Sequence, residues 1–514
     1  MSLVGATQLS IQYSSRDKHF FELVKRALHI ILLLLSPLCG FAITFDEMLS
    51  TMNELSLPLV NIEVNIDTVS YFHFVPGTFT LTEFNDSVTT HTYNCLVRHR
   101  GKTAIFLPKK SFAIKLVDDE GEKLDANLLG LRTDNSWILN AMGIDKLRMR
   151  DRVCFDIWNE FSHTMWDTKF NNRNGTVGSM VEVFINGEYN GIYCLTDKIN
   201  RQLLNLRKAK VEEDSSVTVK GLLYKGKDSG LSDFLLDYQE DRTDTLMWNT
   251  FELQYPDDYP SPQAWQPLMD LIDFNGKSGD EYFKAHYNEW YYDDNLVDFW
   301  ILIMALGQED MPYRNTFIST PDINFEHRYM LTPWDLDACL GRNYMGNESH
   351  FLPSLFRLNC YGPFNRLVPY NINGFKNKLA RRWFELIDNE LSPENLENHL
   401  RAIAQRYVES GAWEREYTLW KHTSIAIGRN IENELQYVMT WYTNNISILS
   451  TQINRWKDDY NEDDILSSNT ITKIYNYLLN IDPIYDEKLD VNNDGCINSN
   501  DVTRVYNFIL GIDN

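Results

Sequence analysis

Hydrophobic periodicity changes character along this chain, and that change limits the folds open to it. Between residues 57 and 117 the segments LPLVNIEVNI, TFTLTEF, TYNCLVRHR and SFAIKLV carry β-branched and aromatic residues at near-alternating positions, broken by Pro76-Gly77 and Gly101. That is the spacing of half-buried strands. Residues 179–196, SMVEVFINGEYNGIYCLT, repeat it on both sides of Asn186-Gly187, a dipeptide suited to a two-residue hairpin turn because both residues tolerate positive φ. From about 371 to 457 the period becomes helical, through KNKLARRWFELIDNE, ENLENHLRAIAQRYVES and IENELQYVMTWY. In between, helical patterns occupy 146–163, 263–274 and 293–306, and the strands TFIST and RYMLTPW bracket a turn at Pro321–Glu326. A strand-rich N-terminal part and a helical C-terminal part make the expected class α+β.

The chain has 514 residues, 43% of them hydrophobic, and seven Cys. It can bury a large core, and it is neither a disordered chain nor a small disulfide scaffold. Its net charge of −24 excludes a general nucleic-acid binder, which needs clustered Lys and Arg against phosphate. Ala27–Ala42, ALHIILLLLSPLCGFA, follows Lys25-Arg26 and ends in a small-x-small triplet. The stretch reads as a signal peptide over 1–42, too short to span a bilayer comfortably. The mature chain is then expected to be exported, without a transmembrane segment, to the medium, the cell surface or the periplasm. Cleavage would remove Cys39 and leave Cys95, Cys154, Cys194, Cys339, Cys360 and Cys496, which an oxidising compartment permits to pair.

Asp459–Asp482 and Asp490–Asp513 are related by a period of 31 residues, with identities that include Asp459/Asp490, Asp463/Asp494, Tyr475/Tyr506 and Leu479/Leu510. The second copy, DVNNDGCINSND, fits a 12-residue calcium loop. Asp490, Asn492, Asp494 and Asp501 would offer side-chain oxygens and Cys496 its carbonyl. The first copy has Asp464 where glycine is wanted and Thr470 in place of the last carboxylate, so weak or no binding is expected there. The tail 458–514 is read as a small all-α domain separate from 57–457. It resembles a type I dockerin, a paired calcium-loop module; the resemblance implies Ca²⁺ and a cohesin-like scaffold or surface protein as partner.

Leu306–Gly341 reads LGQEDMPYRNTFISTPDINFEHRYMLTPWDLDACLG. Asp310 and Asn315 have the D-x-x-x-x-N spacing of a protein-kinase catalytic loop, and Asp335 follows across an expected hairpin. Phosphoryl transfer needs a carboxylate beside the attacking hydroxyl and hard oxygens for Mg²⁺. Asp310 suits the first role, Asn315 and Asp335 the second. Upstream, SFAIKL puts Lys115 on a strand as in the V-A-I-K motif. Arg98, Arg100, Gly101, Lys109 and Lys110 form a local basic cluster that would counter phosphate charge near a nucleotide.

These residues, with RHRGKTAIFLPKKSFAIKL, LRMRDRVCFDIW, VEVFINGEYNGIYCLTDKI, LLYKGKD, FELQYPDD, EDMPYRNTFI and PWDLDACLG, resemble the CotH (spore coat protein H) kinase family. The resemblance implies a divergent protein-kinase-like domain over 57–457 that binds ATP and Mg²⁺ (or Mn²⁺). It implies Asp310 as the catalytic residue, Asn315 and Asp335 as metal ligands, and Lys115 or Lys110, with Arg100, on the phosphates, Lys115 being preferred. Glu160 is a candidate carboxylate partner for that lysine. Gln308 departs from the Asn common before the catalytic Asp, and Asp197 from the Glu that often ends the hairpin. The function implied is an atypical Ser/Thr protein kinase acting on a protein substrate. Two alternatives are an inactive adhesion or scaffold component and a carbohydrate-processing enzyme using Asp335 and Asp337. Asn174-Gly175-Thr176 also matches a glycosylation sequon, of consequence only in a eukaryotic secretory host.

Overall fold

The computed structural model describes residues 43–169, 172–214, 216–227, 234–238, 242–349, 361–457, 468–481, 489, 491 and 496–510. The expected signal peptide, the first calcium loop apart from its last residues, and Asp490, Asn492 and Asp494 of the second lie outside them. The chain divides into two compact units, each assembled from separated segments. The first takes the described residues up to Arg148, then Ser179–Thr196 and Ala402–Ile431; the second takes Met149–Gly178, Asp197–Arg401 and the described residues from Glu432 onward.

The first unit is a closed seven-stranded barrel. Its strands are β1 (Leu59–Val64), β2 (Val75–Asn85), β3 (Ser87–Arg100), β4 (Ser111–Val117), β5 (Ser136–Asn140), β6 (Gly178–Ile185) and β7 (Glu188–Thr196), in the order β1-β2-β3-β4-β5-β7-β6. Neighbours are antiparallel except β1 and β6, whose parallel pairing closes the ring and leaves no free sheet edge. Alternation fills the interior. Val60, Ile62, Phe79, Leu81, Cys95, Val97, Phe112, Ile114, Leu116, Trp137, Leu139, Val181, Val183, Tyr193 and Leu195 all point into one core, each strand supplying every second residue. Asn186 and Gly187 turn β6 into β7 with φ of 52° and 81°, the paired positive values that a type I′ turn requires.

The second unit is built on α1 (Arg150–Phe161), α2 (Pro262–Lys277), α3 (Asp293–Leu306), α4 (Phe375–Ile387), α5 (Ile431–Ile453) and a four-stranded sheet. The sheet contains β8 (Leu222–Gly226), β9 (Phe251–Tyr255), β10 (Thr316–Thr320) and β11 (Met330–Pro333), in the order β9-β8-β10-β11. α3 is apolar nearly all round and buried from Asn295 to Leu306, as a helix at the centre of a core must be. In the tail, α6 (Ser468–Leu478) and α7 (Ser499–Ile509) carry Ile471, Ile474, Val502 and Val505 into a small core with Leu489 and Ile497.

Mixed strands and helices with a strand-rich front agree with the α+β expectation. SFAIKLV and 293–306 match their elements residue for residue. The helix expected over 146–163 begins only at Arg150, because Arg148 takes a φ of 56° and its guanidinium gathers the carbonyls of Met142, Gly143 and Asp145 into a turn rather than a helix.

Candidate active site

α3 delivers the site to its place. Its last turn is closed by Gly307 at φ 63°, whose N–H reaches back to the Ile303 and Met304 carbonyls, a left-handed helix stop. A Cβ there would lie 2.4 Å from the Trp441 ring, so the position needs glycine for space as well as for conformation. The chain then turns through Gln308, Glu309 and Asp310. Gln308 is fully buried and its side-chain amide spans two loops: Nε2 donates to the Asp335 carbonyl at 3.3 Å, while Oε1 accepts the Asp310 N–H at 3.4 Å. Glu309 N–H donates to the Ala338 carbonyl at 3.1 Å.

β10 and β11 bring the other two residues together. They pair as Thr316 with Pro333, and one step further the Trp334 N–H donates to the Asn315 carbonyl at 2.8 Å. Asp310, Asn315 and Asp335 therefore belong to one hydrogen-bonded network at one end of the sheet. Asn315 and Asp335 both hold positive φ, 58° and 57°, a conformation that Asn and Asp tolerate better than most residues and that costs on the order of 1 kcal/mol each. Asp335 is exposed where the residues around it, from Tyr329 to Leu340, are otherwise buried or half-buried. The Asp310 side chain is 17% exposed, with the Arg314 guanidinium 3.9 Å away. From α1, the Asp151 carboxylate accepts the Leu336 N–H at 2.8 Å and holds the loop just after Asp335.

The donor set suits Mg²⁺ (or Mn²⁺). Among the described residues, no three His, Cys, Asp or Glu side chains are grouped to hold a metal ion. One carboxylate and one amide oxygen fit a hard ion that keeps water and takes the rest of its ligands from substrate phosphates.

In the barrel, Lys115 is exposed on β4, its ammonium 4.8 Å from the Phe74 ring centre, with Arg98 5.0 Å from the same ring. Lys110 is half-buried and donates to the Ile105 carbonyl at 2.5 Å. Arg100, half-exposed, ends β3 opposite Ser111. Lys109 departs from the expected basic cluster facing phosphate. It is fully buried, its Nζ donating to the Glu416 carboxylate at 2.8 Å and to the Ile192 carbonyl at 2.5 Å. Burial pulls its ammonium down to about 7.

A protein-family model, CotH kinase protein, matches residues 97–449, a span that includes Lys110, Lys115, Asp310, Asn315 and Asp335. The chain belongs to the CotH kinase family. Among curated proteins, no sequence matches it. The family match ends before the tail, so the dockerin resemblance is not part of it. In the tail of this CotH-family chain, Cys496 is exposed, whereas Asp501 is buried and accepts the Asn498 N–H at 2.7 Å.

Several residues in this CotH-family chain do something other than sequence suggested. Glu160 is engaged by Asn395 and His399, each at 2.8 Å. Asp197 is buried, binding Arg173 at 2.7 Å and the Val177 N–H at 2.9 Å, so it anchors the end of the hairpin. Asn174 is fully buried and accepts from the Thr332 hydroxyl at 2.5 Å, which closes the sequon to a glycan in the folded chain. Gln308, a departure from the family pattern, ties the two loops together. Lys225 of β8, opposite Phe317, is a further cation near this loop that the sequence motifs do not single out. Its ammonium lies 5.6 Å from the Phe317 ring and 5.5 Å from that of Trp334, and the signal for it was the LLYKGKD segment.

Proposed function

We propose that this CotH-family chain is an exported atypical protein kinase that transfers the γ-phosphoryl group of ATP to Ser or Thr hydroxyls of a protein substrate. The observation that carries the reading is the single network joining Asp310, Asn315 and Asp335. Asp310 orients the acceptor hydroxyl and takes its proton as the new O–P bond forms and ADP departs. Asn315 and Asp335 hold Mg²⁺ (or Mn²⁺), which offsets phosphate charge. Lys115, or Lys110, and Arg100 bind the phosphates, and Lys225 adds positive charge beside Trp334. Asn315 and Asp335 are held by backbone bonds before substrate arrives, which limits the reorganisation left for the reacting complex.

The tail is read as a dockerin-like tether to a cohesin-like scaffold or surface protein, its second loop holding Ca²⁺ through Asp490, Asn492, Asp494, Asp501 and the Cys496 carbonyl. Equivalent positions of the two repeats support it: Tyr475 and Tyr506 are 46% and 48% exposed, Leu479 and Leu510 67% and 65%. Duplicated exposed apolar residues suit a docking face. No helix among the described residues is long and apolar enough to cross a membrane.

The test is phosphate incorporation from γ-labelled ATP with Mg²⁺. Asp310→Asn is expected to lower the rate by about 100-fold or more while leaving the melting temperature unchanged. Full activity in a folded Asp310→Asn protein would sink the assignment.

A further inference from the structure

We infer that Cys154 and Cys339 are a disulfide-forming pair that ties the Asp335 loop to helix α1. Both thiols are fully buried, and their sulfurs lie 3.4 Å apart although the residues are 185 positions apart in the chain. The Cys339 thiol also donates to the Leu336 carbonyl at 2.9 Å. One turn earlier on the same helix, Asp151 holds the Leu336 N–H. α1 thus meets the loop at two points, three residues apart on the helix and three apart on the loop. Two buried thiols in contact can pack simply as small apolar groups. Here the contact is close enough that bonding needs the sulfurs to approach by little more than 1 Å, to about 2.05 Å. Of the other described cysteines, Cys95 lies in the barrel core, Cys194 is buried on β7 and Cys496 is exposed.

The oxidant is a small-molecule disulfide such as oxidised glutathione. One protein thiolate attacks a glutathione sulfur and expels one glutathione thiolate. The second protein thiolate attacks the mixed disulfide and expels the other, so two protein thiols become one disulfide and two glutathiones are reduced. Because neither sulfur is exposed in the finished fold, the exchange takes place while the chain is folding. The structural consequence is a covalent brace beside Asp335. Its bearing on phosphoryl transfer rests on the function proposed above; the bond itself does not.

The test uses the full chain, unfolded and then refolded in oxidised and reduced glutathione or in dithiothreitol. Free thiols are alkylated and the peptides mapped, and amide exchange is followed at Leu336–Cys339. Oxidative refolding is expected to give a 154–339 cross-linked peptide, a mass lower by two hydrogens, and exchange at Leu336–Cys339 at least tenfold slower than in the reduced protein. Cys154→Ala should abolish the linked peptide and the slowing together. Alkylation of both cysteines in natively refolded oxidised protein, or linkage of either one elsewhere, overturns the pairing. A linked peptide with unchanged exchange overturns the brace. Each result is read without any kinase assay, so loss of the kinase reading would leave this one standing.

Discussion

Two charged clusters in this chain use the same kinds of residue to opposite ends. In the barrel unit, Glu416 on the helix Ala412–Trp420 takes Lys109 at 2.8 Å and Arg148 at 2.7 Å through one oxygen, and the Ile192 N–H at 2.8 Å through the other. All three side chains are fully buried, and Arg148 spends its remaining donors on the carbonyls of Met142, Gly143, Asp145 and Ile425. Gly191 makes room, since a Cβ there would stand 2.1 Å from Glu416 Oε2. Burial works to raise the Glu416 carboxyl, but Lys109 and Arg148 more than offset it and leave it below its usual range. In the second unit, the Arg314 guanidinium lies 3.9 Å from the Asp310 carboxylate and Asp335 stays exposed. Closed pairing makes a charge structural; an exposed carboxylate on a backbone-bonded loop leaves its oxygens to solvent, and the function proposed above assigns those of Asp335 to a metal.

The contrast breaks most easily at Glu416. Glu416→Ala strands two buried cations, and truncating one partner of such a cluster costs about 3–5 kcal/mol. Urea denaturation should show that loss, while Glu416→Gln, which keeps one acceptor oxygen and loses the other to an NH2 group, should lose less. A Glu416→Ala protein as stable as wild type would mean the cluster does not brace the barrel unit. Next in size comes the open cluster. Asp335→Asn should reduce phosphate incorporation by about 100-fold, equivalent to about 2.7 kcal/mol of transition-state stabilisation, with the urea midpoint unmoved. A shifted midpoint with retained activity would assign Asp335 to structure and reverse the comparison. Smaller again is Lys115→Met. Because Lys115 is exposed, stability should hold while ATP binding, followed by calorimetry with Mg²⁺, weakens about tenfold. Unaltered affinity would pass the phosphate role to Lys110.

Much of this was legible beforehand where local chemistry and tertiary demand agree. The period-2 runs at 57–117 gave barrel strands because each alternate residue had a core to enter, and Asn186-Gly187 turned where two positive φ values were needed. D-x-x-x-x-N followed by a hairpin placed Asp310, Asn315 and Asp335 in one network because β10 and β11 are adjacent and short. Other features were hidden because they join distant residues. Lys109 meets Glu416 across 307 positions, and Lys109 reads on paper like its neighbour Lys110. Closure of the barrel by a parallel β1–β6 pair leaves no periodic mark, since each of those strands alternates the same way with or without the partner. Glu160, a candidate partner for a lysine by its place on a helix, bonds Asn395 and His399 instead in the structure, because a helical carboxylate is no guide to which element packs against it.

The finest test concerns a buried carboxylate outside both clusters. Asp298 on α3 is 6% exposed, and burial pushes its carboxyl from 3.8 up to about 6, against the pull of Arg382, whose Nε donates to it at 2.9 Å. A carboxyl raised by folding binds its proton more tightly in the native state than in the unfolded one. Below about pH 4 both states are protonated, and the native state keeps the full benefit. As pH climbs from 4 to 6 the unfolded chain releases the proton first, so Asp298 takes stability away over that window and takes no more above it. Asp298→Asn does not titrate and can still accept from Arg382. The stability of the variant relative to wild type should therefore rise between pH 4 and 6 by on the order of 1 kcal/mol, then run parallel above pH 7, as read from urea midpoints at each pH. A relative stability that falls over that window would mean Arg382, rather than burial, governs Asp298, which would align it with the closed pairing at Glu416.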